Sequence, residues 1–311
     1  MPNLRYRRLG YVALNVTDRA RSIAFQRETM GLELVPGSEE SAGVSLLTSG
    51  NSSCDLAFYD GDAPAMRRIA FEMEDEGFLE LAHAHLQQLG IPVWTVPDAE
   101  RAAFGQQAAF RFREPSCGLT VELYSPAAAA SLPAFRRTFT NIARLGHAVV
   151  SVTDLSSFVR FFLDELNFRV SDYIGECAFL RCFPNVYHHS FAVVPGSENR
   201  LQHVNFMVDH LDDIGRSIYR LKHQEVPVVY GPGRHPPSGS VFLYFTDPDG
   251  FTFEFSSGME EFPEVDPRAA RHLPFVPESF DYWGSEPAAA FGAVGKFAAL
   301  DGAEDPAGSL H

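Results

Sequence analysis

A chain of 311 residues with 45% hydrophobic and 13% aromatic content can bury a large core and is long enough for two domains. Its formal charge of -15 and pI near 5.1 exclude the basic footprint that nucleic acid or an anionic membrane would need. No apolar run reaches the length of a membrane span or a signal-peptide core, which sets a cytoplasmic expectation; Cys54, Cys117, Cys177 and Cys182 show neither CxxC spacing nor a dense framework and read as reduced thiols.

The chain opens with RLGYVALNVTDRARSIAF, Arg8 to Phe25, and the same pattern returns without a gap as RLGHAVVSVTDLSSFVRF, Arg144 to Phe161. Each copy predicts an alternating strand (Tyr11 to Val16; His147 to Val152), a Thr-Asp pair suited to a helix N-cap, and an amphipathic segment. A second strand-helix-strand unit follows in each, RRIAFEMEDEGFLELAHAHLQQLGIPV and then LQHVNFMVDHLDDIGRSIYRLKHQEVPV. The closing segments FREPSCGLTVELYSP and FTDPDGFTFEFSSG both place a turn before an alternating strand that carries a Glu, Glu122 or Glu254. The chain is therefore a duplicated α+β module, expected over residues 1–133 and 134–262, with an Ala- and Ser-rich linker at Ser125 to Pro133. From about Pro263 the pattern dissolves into a tail, 263–311. Its aromatic island, Phe275 to Trp283, is expected either to close over a site as a lid or to meet another subunit.

The copies differ where chemistry would sit. Tyr11 matches His147, Arg68 matches His203, and only Glu122 matches Glu254. A lone strand histidine is more often a satisfied core residue than a ligand. Two imidazoles and a carboxylate on neighbouring strands of one copy, however, form the set that holds one face of a six-coordinate metal and leaves the opposite positions open, the chemistry of non-haem Fe(II) oxygenases. Glu254 lies between Phe253 and Phe255, and a carboxylate there needs a partner to offset desolvation. His83, His85, His210, His223, His272 and His311 sit on helices or in the tail and read as structural or solvated. DPDG at Asp247 to Gly250 reads as a turn, and GPGR at Gly231 to Arg234 as a loop.

To about Met259 the chain resembles a two-domain type I extradiol ring-cleaving dioxygenase of the vicinal oxygen chelate superfamily. The resemblance is carried by GRHPPSGSVFLYFTDPDGFTFEF, with His235, Tyr244 and Glu254, and by His189 in VYHHSFAV. It implies two tandem vicinal oxygen chelate modules, each of paired βαβββ units forming a cup-shaped mixed sheet. It also implies Fe(II), with Mn(II) as the other metal, held by His147, His203 and Glu254 of the second module. By the same resemblance His189 is the acid-base histidine, favoured over its neighbour His188 by the H-x-x-A pattern, and His235 and Tyr244 contact the substrate oxygens. The implied partners are a small aromatic diol and O2, and the implied assembly is a homo-oligomer.

Val149, two residues beyond the first ligand on the same strand face, is expected in the substrate pocket together with Phe179, His188 and Tyr230. Its apolar side chain suits an uncharged ring substituent. Two alternatives stand beside this reading: a glyoxalase or thiol-transferase type enzyme, whose ligands often come from both modules, and a degenerate protein that holds a hydrophobic ligand.

Overall fold

The computed structural model describes residues 2–38, 43–127 and 139–299. The expected boundary between residues 133 and 134, most of the expected linker, and His311 lie outside the described residues.

The first module runs β1 (Tyr6–Val16), α1 (Arg19–Phe25), β2 (Glu33–Leu34), β3 (Ser45–Thr48), β4 (Leu56–Asp60), β5 (Ala65–Met73), α2 (Glu76–Gln88), β6 (Val93–Thr95), α3 (Asp98–Phe104), β7 (Gln106–Arg113) and β8 (Thr120–Pro126). Its strands pair in the order β2-β3-β4-β1-β5-β8-β7-β6, with β1–β4 and β5–β8 parallel and the rest antiparallel. The second runs β9 (Ile142–Val152), α4 (Leu155–Asp164), β10 (Arg169–Ile174), β11 (Cys177–Arg181), β12 (Phe191–Pro195), β13 (Arg200–Val208), α5 (Leu211–His223), β14 (Val228–Arg234), β15 (Val241–Thr246) and β16 (Thr252–Ser257). It repeats the same order as β10-β11-β12-β9-β13-β16-β15-β14. The duplicated sequence thus makes two mixed cups. GPGR is not a loop but the end of β14; a register break between Tyr230 and Gly233 lets the strand continue past Pro232, which has no N–H to offer a ladder.

The Thr-Asp pairs act as helix starts in both copies. Asp18 accepts from the Arg21 backbone N–H at 3.0 Å, and Asp154 accepts from that of Ser157 at 3.1 Å, each satisfying a donor that the first turn leaves open. α4 then turns Phe158 and Phe162 inward. Those rings pack with Phe168, Phe191 and, from the first module, Tyr6 and Phe71, whose ring centroids lie 5.1 Å from that of Phe168. The Tyr6 hydroxyl donates to the Leu166 carbonyl at 2.8 Å, and Asn167 Nδ2 donates to that of Leu4 at 2.7 Å. One continuous core therefore joins the modules and fixes their cups relative to each other.

The RLG glycine before each cup has a steric reason. A Cβ on Gly146 would stand 2.0 Å from Asn205 Oδ1, and one on Gly10 would stand 2.4 Å from the Tyr124 hydroxyl, so neighbouring side chains lie directly over the backbone.

Beyond β16 the tail does not hang free. β17 (Arg271–Leu273) pairs parallel with β10, and β18 (Lys296–Phe297) bonds both β13 and β5, bridging the modules. No helix among the described residues is long and apolar enough to cross a membrane.

DPDG forms the turn before β16, and Asp247 anchors it by accepting from the backbone N–H groups of Asp249 at 3.0 Å and Phe251 at 2.8 Å. Its other oxygen is buried without a partner, and burial pushes the carboxyl up to about 7. The folded state then holds a proton that the unfolded chain releases near pH 4, so between about pH 4 and 7 stability falls as pH rises, by about 1 kcal/mol per pH unit. Asp247→Asn, which keeps the accepting oxygen and removes the charge, is expected to flatten that slope in urea titrations from pH 4.5 to 8. An unchanged slope would exclude Asp247 as its source.

Candidate metal centre and its cavity

Strand register brings the candidate residues into one transverse row on the concave face of the second cup. His147 on β9 stands opposite Asn205 on β13, Asn205 opposite Glu254 on β16, Glu254 opposite Tyr244 on β15, and Tyr244 opposite Tyr230 on β14. His203 faces Val149 in the next row, beside a register break between Leu201 and His203 that re-aims its side chain.

Three ligand-type atoms converge as a result. His147 Nε2 lies 3.2 Å from His203 Nε2 and 3.0 Å from Glu254 Oε2, and His203 Nε2 lies 3.4 Å from that oxygen. Two donors about 2.1 Å from one ion at a right angle stand about 3.0 Å apart, so the triangle has the size of one coordination face of a first-row divalent metal. All three side chains are buried, and neither oxygen of Glu254 meets a donor in hydrogen-bonding geometry. A fully buried carboxylate with two orphaned oxygens, facing two imidazole nitrogens, is a donor set that a cation completes. Burial drives His147 down to about 4, keeping the ring neutral as a ligand must be; burial opposes the charge of Glu254, but the histidines around it outweigh that and hold it well below the usual carboxylate range.

Around the triangle the other candidates take separate places. The His189 ring lies 4.1 Å from that of His147 and 5.1 Å from that of Phe179. Burial, then the neighbouring His147 and His188, depress the basicity of His189. His235 Nδ1 donates to the Phe280 carbonyl at 2.7 Å, which leaves Nε2 to accept from the Tyr244 hydroxyl at 2.9 Å. Tyr230 stacks on Tyr244 with ring centroids 5.5 Å apart, and burial pushes both phenols up, so each stays protonated.

These groups line a cavity of about 640 Å³. Val149, Phe179, His189, Tyr230, His235 and Tyr244 face it; no Arg or Lys is among its described lining residues. His188, expected at the substrate, stands instead behind His189, fully buried, with Nε2 donating to Asp172 at 2.8 Å. Phe275 and Phe280, from the aromatic island of the tail, form one wall together with Phe291, which lies outside that island and carried no signal in the sequence.

The first cup repeats the row with other chemistry. Tyr11 stands opposite Ala70, Ala70 opposite Glu122, Glu122 opposite Arg111, and Arg68 faces Ala13 as His203 faces Val149. Arg68 Nε donates to the Tyr11 hydroxyl at 2.7 Å and lies 3.4 Å from Glu122 Oε2, while Nη2 donates to Glu100 at 2.8 Å. Arg111 Nε and Gln106 Nε2 donate to the two oxygens of Glu122 at 2.7 and 2.6 Å. A guanidinium fills the place that the second cup keeps for a metal.

Fold and site together define a two-module metalloenzyme in which, among the described residues, the second cup and not the first presents an open His-His-Glu donor set. Residues 8–123 and 144–255 match the Glyoxalase/Bleomycin resistance protein/Dioxygenase superfamily, and the chain belongs to it. It is 28% identical over 275 residues to the 3-methylcatechol 2,3-dioxygenase of Pseudomonas putida, covering 82% of this chain and 90% of that one. It is 25% identical over 267 residues to the iron-dependent extradiol dioxygenase of Rhodococcus jostii, covering 80% and 88%. Among solved structures, the Mn(II)-bound glyoxalase from Novosphingobium aromaticivorans superposes with a TM-score of 0.79 at 27% identity over 92% of this chain and 93% of that one.

Removing Arg68 would leave the fully buried Glu122 and the half-buried Glu100 with less compensation. Arg68→Met is therefore expected to lower unfolding stability by about 3–5 kcal/mol while leaving metal stoichiometry in the second cup at one per chain. Chemical denaturation and metal analysis of the folded variant check it; loss of metal with unchanged stability would contradict the assignment.

Proposed function

We propose that the chain is an extradiol dioxygenase that inserts both atoms of O2 into a catecholic ring and cleaves it beside the diol, with Fe(II) held by His147, His203 and Glu254. The observation that carries this reading is the metal-sized triangle at the base of an apolar cavity, with three further protonatable side chains around it and a guanidinium in the equivalent place of the first cup.

When bound, the metal lowers the pKa of a chelating diol and brings ring and dioxygen together. The protein supplies the rest. His189, with an imidazole beside the triangle, accepts the proton that a diol gives up on binding and returns it during ring opening. Tyr244 and His235 act as one hydrogen-bonded unit at the opposite flank. The tail carbonyl of Phe280 fixes the His235 ring, whose Nε2 accepts from the Tyr244 hydroxyl and so holds that phenol beside the oxygen on that side of the substrate. Val149, Phe179, Tyr230 and the tail phenylalanines exclude water and hold the ring.

The glyoxalase among its structural relatives favours a second reading, an isomerase or thiol-transferase type reaction. The first cup argues against ligands shared between modules, because Arg68 and Arg111 already occupy its carboxylate. The extradiol reading predicts that anaerobic loading with Fe(II), followed by 3-methylcatechol or 2,3-dihydroxybiphenyl in air, gives the yellow, pH-dependent absorbance of a ring-opened semialdehyde. Mn(II) is the alternative metal to be loaded in parallel. Colour is expected to vanish in Glu254→Ala together with bound metal. No colour with stoichiometric metal would sink this reading and bring the glyoxalase assay forward. Without a lining Arg or Lys, diols with alkyl or aryl substituents are expected to outcompete carboxylate-bearing ones, and faster turnover of protocatechuate would contradict the apolar assignment.

His189→Asn is expected to keep metal and substrate affinity while kcat falls by about 10²–10⁴. Unimpaired kcat would move the proton-transfer role to another residue. Homo-oligomer assembly belongs to the same proposal; exposed Tyr219, Tyr282 and Trp283 motivate it, and light scattering on the purified chain tests it. A reducing, cytoplasmic setting fits Cys54, Cys177 and Cys182, which are free and buried.

A further inference from the structure

Behind His189 the structure holds a polar chain that the proposed reaction has not used. His188 Nδ1 lies 3.0 Å from His189 Nδ1, and His188 Nε2 donates to Asp172 Oδ2 at 2.8 Å. Asp172, on β10, is fully buried. Arg268 spans it with two donors at 2.8 and 2.9 Å, and Arg271 reaches it through its backbone N–H at 2.8 Å and its Nη2 at 2.5 Å. Glu260 takes Arg268 Nη2 at 2.7 Å.

Charge and geometry fix where the protons lie. Two guanidiniums balance the two carboxylates of Asp172 and Glu260, so the cluster needs no third cation and His188 rests neutral, as burial also favours. Asp172 offers only acceptors, so the single proton of a neutral His188 is on Nε2. His188 Nδ1 is then bare and can only accept, which requires His189 to carry its proton on Nδ1. His189 Nε2, the nitrogen left uncommitted, is consequently bare. The same saturation of Asp172 and Glu260 by arginine argues against a second metal among Asp172, His188 and Glu260, although their ligand atoms lie within 4.8 Å of one another.

We propose that Asp172 and His188 are positioning residues that hold His189 in its Nδ1–H tautomer, with a bare Nε2 presented to the diol. This rests on the reading of His189 as the proton-transfer residue. It assigns the order of events: the hydroxyl O–H of the diol breaks and an N–H forms on His189 Nε2, while Nδ1–H stays donated to His188. The resulting imidazolium is stabilised through His188 by Asp172, and its Nε2 proton is the one later delivered. His189 thus enters the cycle as a base and only afterwards serves as the acid.

Two variants separate this from a merely structural role. His188→Gln can donate its amide to Asp172 and accept from His189 with its oxygen, reproducing the neutral ring; His188→Leu can do neither. Long-range proton–nitrogen correlation spectra of the full chain, ¹⁵N-labelled at histidine and loaded with diamagnetic Zn(II), report the His189 tautomer, with the signal assigned by its loss in His189→Asn. The wild type and His188→Gln are expected to show a protonated Nδ1 and a bare Nε2, and His188→Leu to lose that preference. On the Fe(II)-loaded enzyme, kcat is expected to stay within about threefold in His188→Gln and to fall about 10²-fold in His188→Leu, with KM and metal content retained in both. A wild-type His189 protonated at Nε2, or full-speed turnover by His188→Leu, would overturn the proposal. Should His188→Leu not fold, the wild-type spectrum and His188→Gln still decide. A wild-type enzyme with the expected tautomer but no ring cleavage would leave this assignment standing and remove the functional reading instead.

Discussion

A fully buried carboxylate must meet a cation, and each half of this molecule is built around one. Glu122 and Glu254 occupy equivalent register positions in the two cups, and both are fully buried. In water each would be solvated for nothing; inside a mixed sheet the desolvation cost of an unpaired charge amounts to several kcal/mol. The first cup meets it with Arg111 and Arg68, covalent parts of the chain. The second presents two imidazoles, which are metal ligands and carry no permanent charge as a guanidinium does. The same backbone thus yields a closed structural site and an open chemical one through exchanges at Tyr11/His147, Arg68/His203 and Arg111/Tyr244.

That contrast is legible in the sequence because the opening segments of the two copies, Arg8 to Phe25 and Arg144 to Phe161, align without a gap and the later strand-helix units follow in the same order. His147, His203 and Glu254 lie on three strands, and matching those strands between copies identifies the positions at which they differ. Val149 followed from strand alternation, since residues two apart share a face. The helix starts followed from Asp18 and Asp154, whose capping is a matter of three residues. Each of these features depends on short-range geometry that periodicity records.

What the sequence withheld depends on contacts between distant segments. Asp172 meets Arg268 and Arg271 across some hundred residues, and no local pattern marks a β10 aspartate as the anchor of a histidine pair. His188 was read as a pocket residue because it adjoins His189; the short stretch before β12 turns consecutive side chains to opposite sides, so one ring faces the cavity and the other faces Asp172. Apart from its aromatic island the tail shows no periodic pattern, because its order comes from β10, β13 and β5 and not from its own composition.

The tail lies beyond the residues that match the superfamily, yet it supplies a wall of the cavity, the carbonyl that orients His235 and the arginines that clamp Asp172. The candidate metal ligands sit on strands whose register is fixed by a shared core, whereas part of the cavity wall belongs to a segment laid over them. The cavity and the donor set are therefore mechanically separable: a substitution in the overlay reshapes the enclosed space while the strand register that gathers His147, His203 and Glu254 stays as it is.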